Sequence, residues 1–185
     1  MKRYFRVIAI VLLTLLSASR SARGQKSYAL GIGGGAAIPV GKMSDTQKTG
    51  YSAIVALAIG VAELPIGVRF DGIYTNLLNN NVLTPGGGSS SSDLRVIGGL
   101  GNLIFAFSGT NAKPYVIVGG GLYNTKADIP GAKAENDFGF NAGLGATFRM
   151  GPFATFLESR YHTISRKATD GGVIQFVPIT IGLLF

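Results

Sequence analysis

Apolar and polar residues alternate along most of the chain beyond residue 25, and turn-forming residues divide this region into eight segments. Alternation with a period of two places successive side chains on opposite faces of a β-strand. The pattern predicts eight strands, most of them 12 or 13 residues long, at Tyr28–Val40, Tyr51–Ala62, Ile66–Leu78, Asp93–Phe107, Pro114–Lys126, Asp137–Phe148, Phe153–Ser165 and Ile174–Phe185. Membrane-spanning strands need roughly 9–11 residues, whereas strands of soluble proteins usually have about 5–6. The predicted lengths favour strands that cross a membrane.

The faces of the predicted strands differ in bulk. In the sixth strand large apolar residues such as Phe138 and Phe140 alternate with Gly139, Asn141 and Gly143. The last strand carries one continuous apolar row, formed by Val177, Ile179, Ile181, Leu183 and Phe185. The interior of an eight-stranded barrel is just wide enough for side chains to fill it, so we expect the bulky rows outside and the small or polar rows inside. The registers of the first, second and fourth strands stay open, because their glycine-rich stretches are small on both faces.

The connections between the predicted strands alternate between long and short. Those after the first, third, fifth and seventh strands are long and polar, and those after the second, fourth and sixth are short. Membrane barrels have short turns at one end and longer loops at the other. A soluble barrel would also show alternation, but it would carry charges along every strand, and here most charged residues fall in connections. The sequence therefore predicts an all-β, eight-stranded, antiparallel up-and-down transmembrane β-barrel.

Residues 1–24 have the composition of a cleavable signal peptide. Three basic residues within the first six precede an apolar run from Val7 to Leu16 and a small-residue stretch that ends at Gly24. The run is shorter than the roughly 20 residues of a membrane-spanning helix, so we expect cleavage before Gln25 and one barrel domain over 25–185. Cleavage would leave 12 basic and nine acidic residues, a net charge of +3 instead of +8. With no basic patch interleaved with aromatic residues, nucleic-acid binding is not expected.

Three stretches carry a family resemblance: the terminal Phe185 after its alternating apolar row, Lys113-Pro114-Tyr115 at the start of a glycine-rich strand, and the Phe-Leu-Glu-Ser-Arg-Tyr run at 156–161. With them the chain resembles the small outer-membrane barrels of the OmpA, OmpX and opacity-protein kind. The resemblance implies export to the outer membrane of a Gram-negative-type bacterium and contact with its lipid. It also implies that the row Val177, Ile179, Ile181, Leu183 and Phe185 is the signal for the barrel-assembly machinery.

We expect tyrosine to form the aromatic girdles at the membrane interface, because the chain contains no tryptophan. Many relatives of this family place tryptophan in the aromatic girdles of the barrel, and tyrosine can take the same place. The residues expected there lie near strand ends: Tyr28, Tyr51, Tyr74, Tyr123 and Tyr161.

Charged residues inside the predicted strands form two rows. Arg69 and Asp71 share one face of the third strand, and Glu158, Arg160 and His162 share one face of the seventh. An arginine that faces lipid near the midplane costs ~2–4 kcal/mol, so inward placement with mutual pairing is cheaper. We expect these five residues to form a charge network in the lumen, with a structural or a pore-controlling role.

Motifs for catalysis or cofactors are weak. The run Gly31–Ala36 matches the dinucleotide fingerprint in form, but Pro39 follows it and no helical period appears. His162 invites comparison with a family of outer-membrane lipid A deacylases, yet that family has serine two residues after the histidine, where this chain has Ile164. The chain contains no cysteine, and a lone histidine makes no metal cluster. We expect no cofactor, no metal and no enzyme activity.

The long loops are polar and rich in glycine or serine, notably at Asn79–Asn81 and Ser89–Ser92. Binding sites often lie on loops held by a rigid scaffold. We therefore expect a structural or surface-interaction role, with any extracellular ligand bound at the loops. A narrow channel for ions or small solutes is the alternative, and a lipid-acting enzyme is a third possibility.

Overall fold

The computed structural model describes residues 26–61, 65–79, 92–129, 131–150, 153–166 and 172–185. The predicted signal peptide and loop residues 80–91 lie outside these ranges. The described strands are β1 (Lys26–Pro39), β2 (Gln47–Val61), β3 (Ile66–Asn79), β4 (Leu94–Ala106), β5 (Ala112–Ala127), β6 (Glu135–Met150), β7 (Phe153–Ser165) and β8 (Val173–Leu184). A short 3-10 helix (Gly41–Asp45) lies between β1 and β2.

The strands form one closed antiparallel barrel in sequence order, which confirms the predicted fold class. Each strand pairs with its neighbours in the chain, and β1 pairs with β8 over Gly31↔Leu184 to Pro39↔Phe176. Backbone hydrogen bonds between Leu30 and Phe185, at 3.0 and 2.8 Å, extend this closure to the last residue. Because the sheet closes on itself, its backbone groups are paired around the cylinder and no strand edge is left free.

Several strands extend beyond their predicted bounds. β2 begins at Gln47 rather than Tyr51, and β6 spans Glu135–Met150 rather than Asp137–Phe148. The apolar pattern marks only the part of a strand whose outer side is apolar, whereas the hydrogen-bonded ladder continues through polar residues. β7 has the predicted bounds. The registers left open by the sequence contain one irregularity, between Lys48 and Tyr51 of β2.

Side chains divide by strand parity into a filled bore and an apolar outer belt. The outward row of β6 is exposed, with Phe140 at 60% and Leu144 at 67%, whereas Phe176 on the inner side of β8 is 0% exposed. The bore contains the buried apolar cluster Ala37, Ile54, Ile73, Leu77, Val96, Leu100, Tyr123, Phe156, Ile164, Ile174 and Phe176. No helix in the described ranges is both long and apolar enough to span a membrane.

Candidate functional site

Four charged side chains meet in the middle of the bore. Arg69 and Asp71 lie on β3, and Glu158 and Arg160 lie on β7. In the closed barrel three strands separate β3 from β7 on either side, so the two pairs come from opposite walls. We name Arg69, Asp71, Glu158 and Arg160 the ion ring.

Each guanidinium of the ion ring contacts both carboxylates. The closest N···O distances are 2.9 Å for Arg69–Asp71, 2.8 Å for Arg69–Glu158, 2.7 Å for Arg160–Asp71 and 2.8 Å for Arg160–Glu158. The charges alternate around the ring and sum to zero. The ion ring therefore ties the two opposite walls of the barrel together across the bore.

Three neutral side chains extend the hydrogen bonding of the ring. The Tyr115 hydroxyl donates to Glu158 at 2.7 Å, and Asn102 Nδ2 donates to Asp71 at 2.9 Å. Asn141 Nδ2 donates in turn to Asn102 Oδ1 at 2.9 Å. Because these residues lie on β5, β4 and β6, the network joins five consecutive strands. Sequence reasoning missed them as site residues. The available signal was a polar residue at an inward position of an otherwise apolar or glycine-rich strand.

The ion ring is almost fully withdrawn from solvent. The four residues are 2–4% exposed. Buried charges are tolerated when each one meets an opposite charge and its remaining hydrogen-bonding groups are satisfied. Apolar side chains fill the bore on both sides of the ring, with Phe156 toward the short turns and Phe176 toward the long loops. This arrangement makes the ring a polar layer within a packed bore.

Glycines on the inner face of β6 make room for the large side chains of the bore. A Cβ built on Gly145 would lie 2.5 Å from Cζ of Tyr115, and one on Gly143 would lie 2.6 Å from Cγ of Arg160. Such separations are shorter than van der Waals contact, so any larger residue would force the neighbour to move. The glycines on the inner face of β6 thus leave the space that the side chains of Arg160 and Tyr115 occupy.

His162 lies in the bore, but the structure does not bring it into the ion ring. Its Nδ1 atom is 2.9 Å from the hydroxyl of Tyr123, and its ring stacks on Phe176 at a centroid distance of 4.9 Å. The side chain is 0% exposed. It is therefore enclosed on the loop side of the ring and has no access to the lipid-facing surface.

The predicted aromatic girdle is wrong for Tyr123. The sequence placed it at the membrane interface, yet it is fully buried, and Gly139 on the inner face of β6 leaves room for its ring, since a Cβ there would lie 2.8 Å from Cε2 of Tyr123. The glycine-rich centre of β5 concealed which parity faces inward. The other four tyrosines of the expected set are 36–56% exposed on the outer side: Tyr28, Tyr51, Tyr74 and Tyr161.

The remaining sequence features have defined places in the fold. Gly31–Ala36 lies within β1 and pairs with β2 and β8, so it does not open a helix as a dinucleotide site requires. The apolar row of the last strand faces outward, and Ile181 is 61% exposed. In the described part of the chain, no group of three or more His, Asp or Glu side chains is arranged to hold a metal ion.

Comparison with known proteins gives structural matches at low identity. No protein-family model matches the chain, and no curated protein matches its sequence. Neisserial surface protein A is similar in structure, with a TM-score of 0.63 and 16% identity over 87% of this chain and 98% of that one. A major outer membrane protein from Thermus thermophilus has a TM-score of 0.54 and 14% identity over 86% of this chain and 98% of that one. The chain has the fold of the small eight-stranded outer-membrane β-barrels.

Proposed function

We propose that the protein is an integral outer-membrane barrel with a structural or surface-interaction role, and that its bore does not conduct. The observation that carries this proposal is the ion ring, which joins β3 to β7 across the bore through four ion pairs of 2.7–2.9 Å. The interior of an eight-stranded barrel is just wide enough for side chains to fill or for one small ligand, and here side chains fill it. A solute would have to break buried ion pairs and displace the apolar layers on both sides.

Any binding is assigned to the end that carries the long loops, which faces the outside in barrels of this kind. The described residues at this end surround a cavity of about 410 Å³ at the mouth of the barrel. Its lining includes Lys133 and the ion pair Arg166–Glu135, whose closest N···O distance is 2.8 Å. A polar cup on a rigid barrel suits contact with a polar extracellular ligand. The shared fold with Neisserial surface protein A agrees with a place at the cell surface.

Export and assembly are parts of the same proposal. Residues 1–24 would direct export and be removed before Gln25, and the last strand would engage the barrel-assembly machinery. The row Val177, Ile179, Ile181, Leu183 and Phe185 suits this role because it lies along one face of β8, the strand that closes the barrel against β1. Lipid of the outer membrane would cover the apolar belt.

The channel and the lipid-acting enzyme are the alternatives. A pore controlled by the ring would need Arg160 to leave its carboxylate partners, and a lipid-cleaving site at His162 would need the imidazole to reach the barrel exterior. We infer neither role. His162 is held inside by Tyr123 and Phe176.

Planar-bilayer recording of the purified barrel tests the proposal. We expect no unitary conductance for the wild-type protein, and folding of the barrel is checked by gel mobility with and without boiling, because a closed barrel resists cold detergent. Discrete conductance steps that disappear in Arg160→Ala would overturn the proposal in favour of the channel. Hydrolysis of lipid A by the wild type that is lost in His162→Ala would establish the enzyme instead.

A further inference from the structure

Two basic residues lie side by side on the outer surface near the long-loop end. Arg95 of β4 and Lys126 of β5 are direct cross-strand partners. Their inward neighbours Val96 and Thr125 are buried in the bore, so Arg95 and Lys126 belong to the outward rows. Both line a hollow of about 230 Å³, together with Tyr74, Asn76, Ala127 and Asp128. The pair therefore sits at the upper edge of the apolar belt.

This basic pair has no ionic partner in the described part of the chain. The ion pairs found there involve only the ion ring and Arg166–Glu135. The Nε atom of Arg95 is buried and has no hydrogen-bond partner. Like charges directly opposite each other on a sheet repel and destabilise it. An anion bound between Arg95 and Lys126 would attract both side chains and replace this repulsion by a net attraction.

The nearest carboxylates lie one layer closer to the loops. Asp93 accepts hydrogen bonds from Asn76 Nδ2 and from the backbone N–H of Asn79, both at 3.1 Å. Asp128 is tied to Asp93 through its backbone N–H at 2.9 Å. Asp128 also lines the hollow, but no ion pair joins either acid to Arg95 or Lys126, so the residues that line the hollow carry a net charge of +1. The cations are left facing the level where lipid headgroups meet the apolar belt.

An apolar groove lies farther from the long loops than the basic pair, and it crosses β1 to β4. Outward positions on β3 and β4 are occupied there by Gly72, Gly99 and Gly101, which form the floor of a groove of about 810 Å³. Val55 and Phe70 are among its walls. A Cβ built on Gly99 would meet nothing within 4 Å, so the groove is open. Gly99 lies four residues below Arg95, or about 13 Å at ~3.3 Å per residue.

We propose that this surface is a binding site for a lipid with a phosphorylated headgroup. A phosphate group sits between Arg95 and Lys126, and one acyl chain of the same molecule occupies the glycine-floored groove. Arginine and lysine are the usual phosphate-binding side chains, and arginine can donate two parallel hydrogen bonds. The inference requires the barrel to lie in a membrane with its long loops outward, but it does not depend on whether the bore conducts.

Native mass spectrometry of the full-length protein in a maltoside detergent tests the site. The probe is bisphosphorylated lipid A, and the comparison lipid is an uncharged glycolipid with the same acyl chains. We expect Arg95→Gln/Lys126→Gln to bind lipid A about tenfold more weakly, the size of effect typical of losing a hydrogen bond between charged groups. The matched control is Lys42→Gln/Lys48→Gln, which removes two exposed charges at the same end of the barrel and is expected to bind as the wild type does.

A second variant tests the acyl part. Gly99→Leu places a side chain in the groove at a position where a Cβ meets nothing within 4 Å, so it is expected to weaken binding of lipid A while the cold gel mobility of the barrel stays unchanged. Equal affinity of the wild type and the Arg95/Lys126 double variant would overturn the proposal. Equal binding of the uncharged glycolipid, or full displacement of lipid A by inorganic phosphate, would also overturn it, the latter in favour of a simple anion site.

Discussion

Replacing Glu158 by glutamine removes one charge from the ion ring at almost constant volume. The carboxylate contacts Arg69 and Arg160 at 2.8 Å each and accepts the hydroxyl of Tyr115 at 2.7 Å. The amide retains one oxygen acceptor, but its NH₂ group must face a guanidinium, and two cations then share the single carboxylate of Asp71. Removing one partner from a buried ion pair typically costs about 3–5 kcal/mol. We expect Glu158→Gln to lower the free energy of unfolding by about that amount.

The exposed ion pair of the same chain provides a matched control. Glu135 contacts Arg166 at 2.8 Å, the same separation as in the ring, but both side chains are 39% exposed. Exposed pairs contribute about 0.2–1 kcal/mol because water solvates the separated charges. Glu135→Gln should therefore lower stability by no more than about 1 kcal/mol. The two variants remove the same chemical group and differ mainly in the burial of the site.

Urea titration in lipid vesicles measures the difference. The folded fraction is followed by cold gel mobility and by circular dichroism, since the chain has no tryptophan for fluorescence. Arg69→Gln/Glu158→Gln leaves one neutral pair, Arg160–Asp71, and its loss should be smaller than the sum of the two single losses. This double variant keeps the test decisive if Glu158→Gln does not fold. Equal losses for Glu158→Gln and Glu135→Gln, or additive losses in the double variant, would refute the reasoning.

Three further predictions concern packing, assembly and export. Gly145→Ala should lower stability by about 1–3 kcal/mol, as overpacking does, because its Cβ meets the ring of Tyr115, whereas Gly99→Ala should be neutral in the same urea titration. Phe185→Ala should reduce the amount of heat-modifiable barrel in the outer-membrane fraction if the last strand is the assembly signal, and an unchanged yield would contradict that role. N-terminal sequencing of the exported protein should begin at Gln25, and an N-terminus at Met1 would contradict the signal peptide.

The sequence pattern predicts which residues of the ion ring face inward, but not which of them meet. Parity along β3 and β7 was enough to place Arg69, Asp71, Glu158 and Arg160 on inward faces. Their meeting depends on how far each strand is shifted relative to its neighbours, because this stagger sets the height of every residue along the barrel axis. Contacts such as Arg69–Glu158 and Arg160–Asp71 join residues 89 positions apart. No pattern within a single strand contains that information.

In a glycine-rich strand the sequence pattern does not show which way an individual side chain points. In β5 the glycines at 119–121 are small on both faces, so the alternation that identifies the inner row elsewhere is lost near Tyr123. The structure places Tyr123 in the bore, where Gly139 leaves space for its ring and His162 meets its hydroxyl. Its position near a strand end favoured an outward side chain in the sequence-based prediction. The inward orientation of Tyr123 follows from packing across the bore, which the sequence pattern does not contain.

The amino-acid pattern predicts the number of strands, their order, the apolar character of the outer belt and the difference between the two ends. These properties follow from period-two alternation, segment length and turn composition, all of which are local. Only the folded barrel shows how the ion ring pairs, that Tyr123 points inward and that Arg95 lies beside Lys126. Each depends on the register of hydrogen bonds between strands, because a residue's neighbours across a closed sheet are set by the whole cylinder.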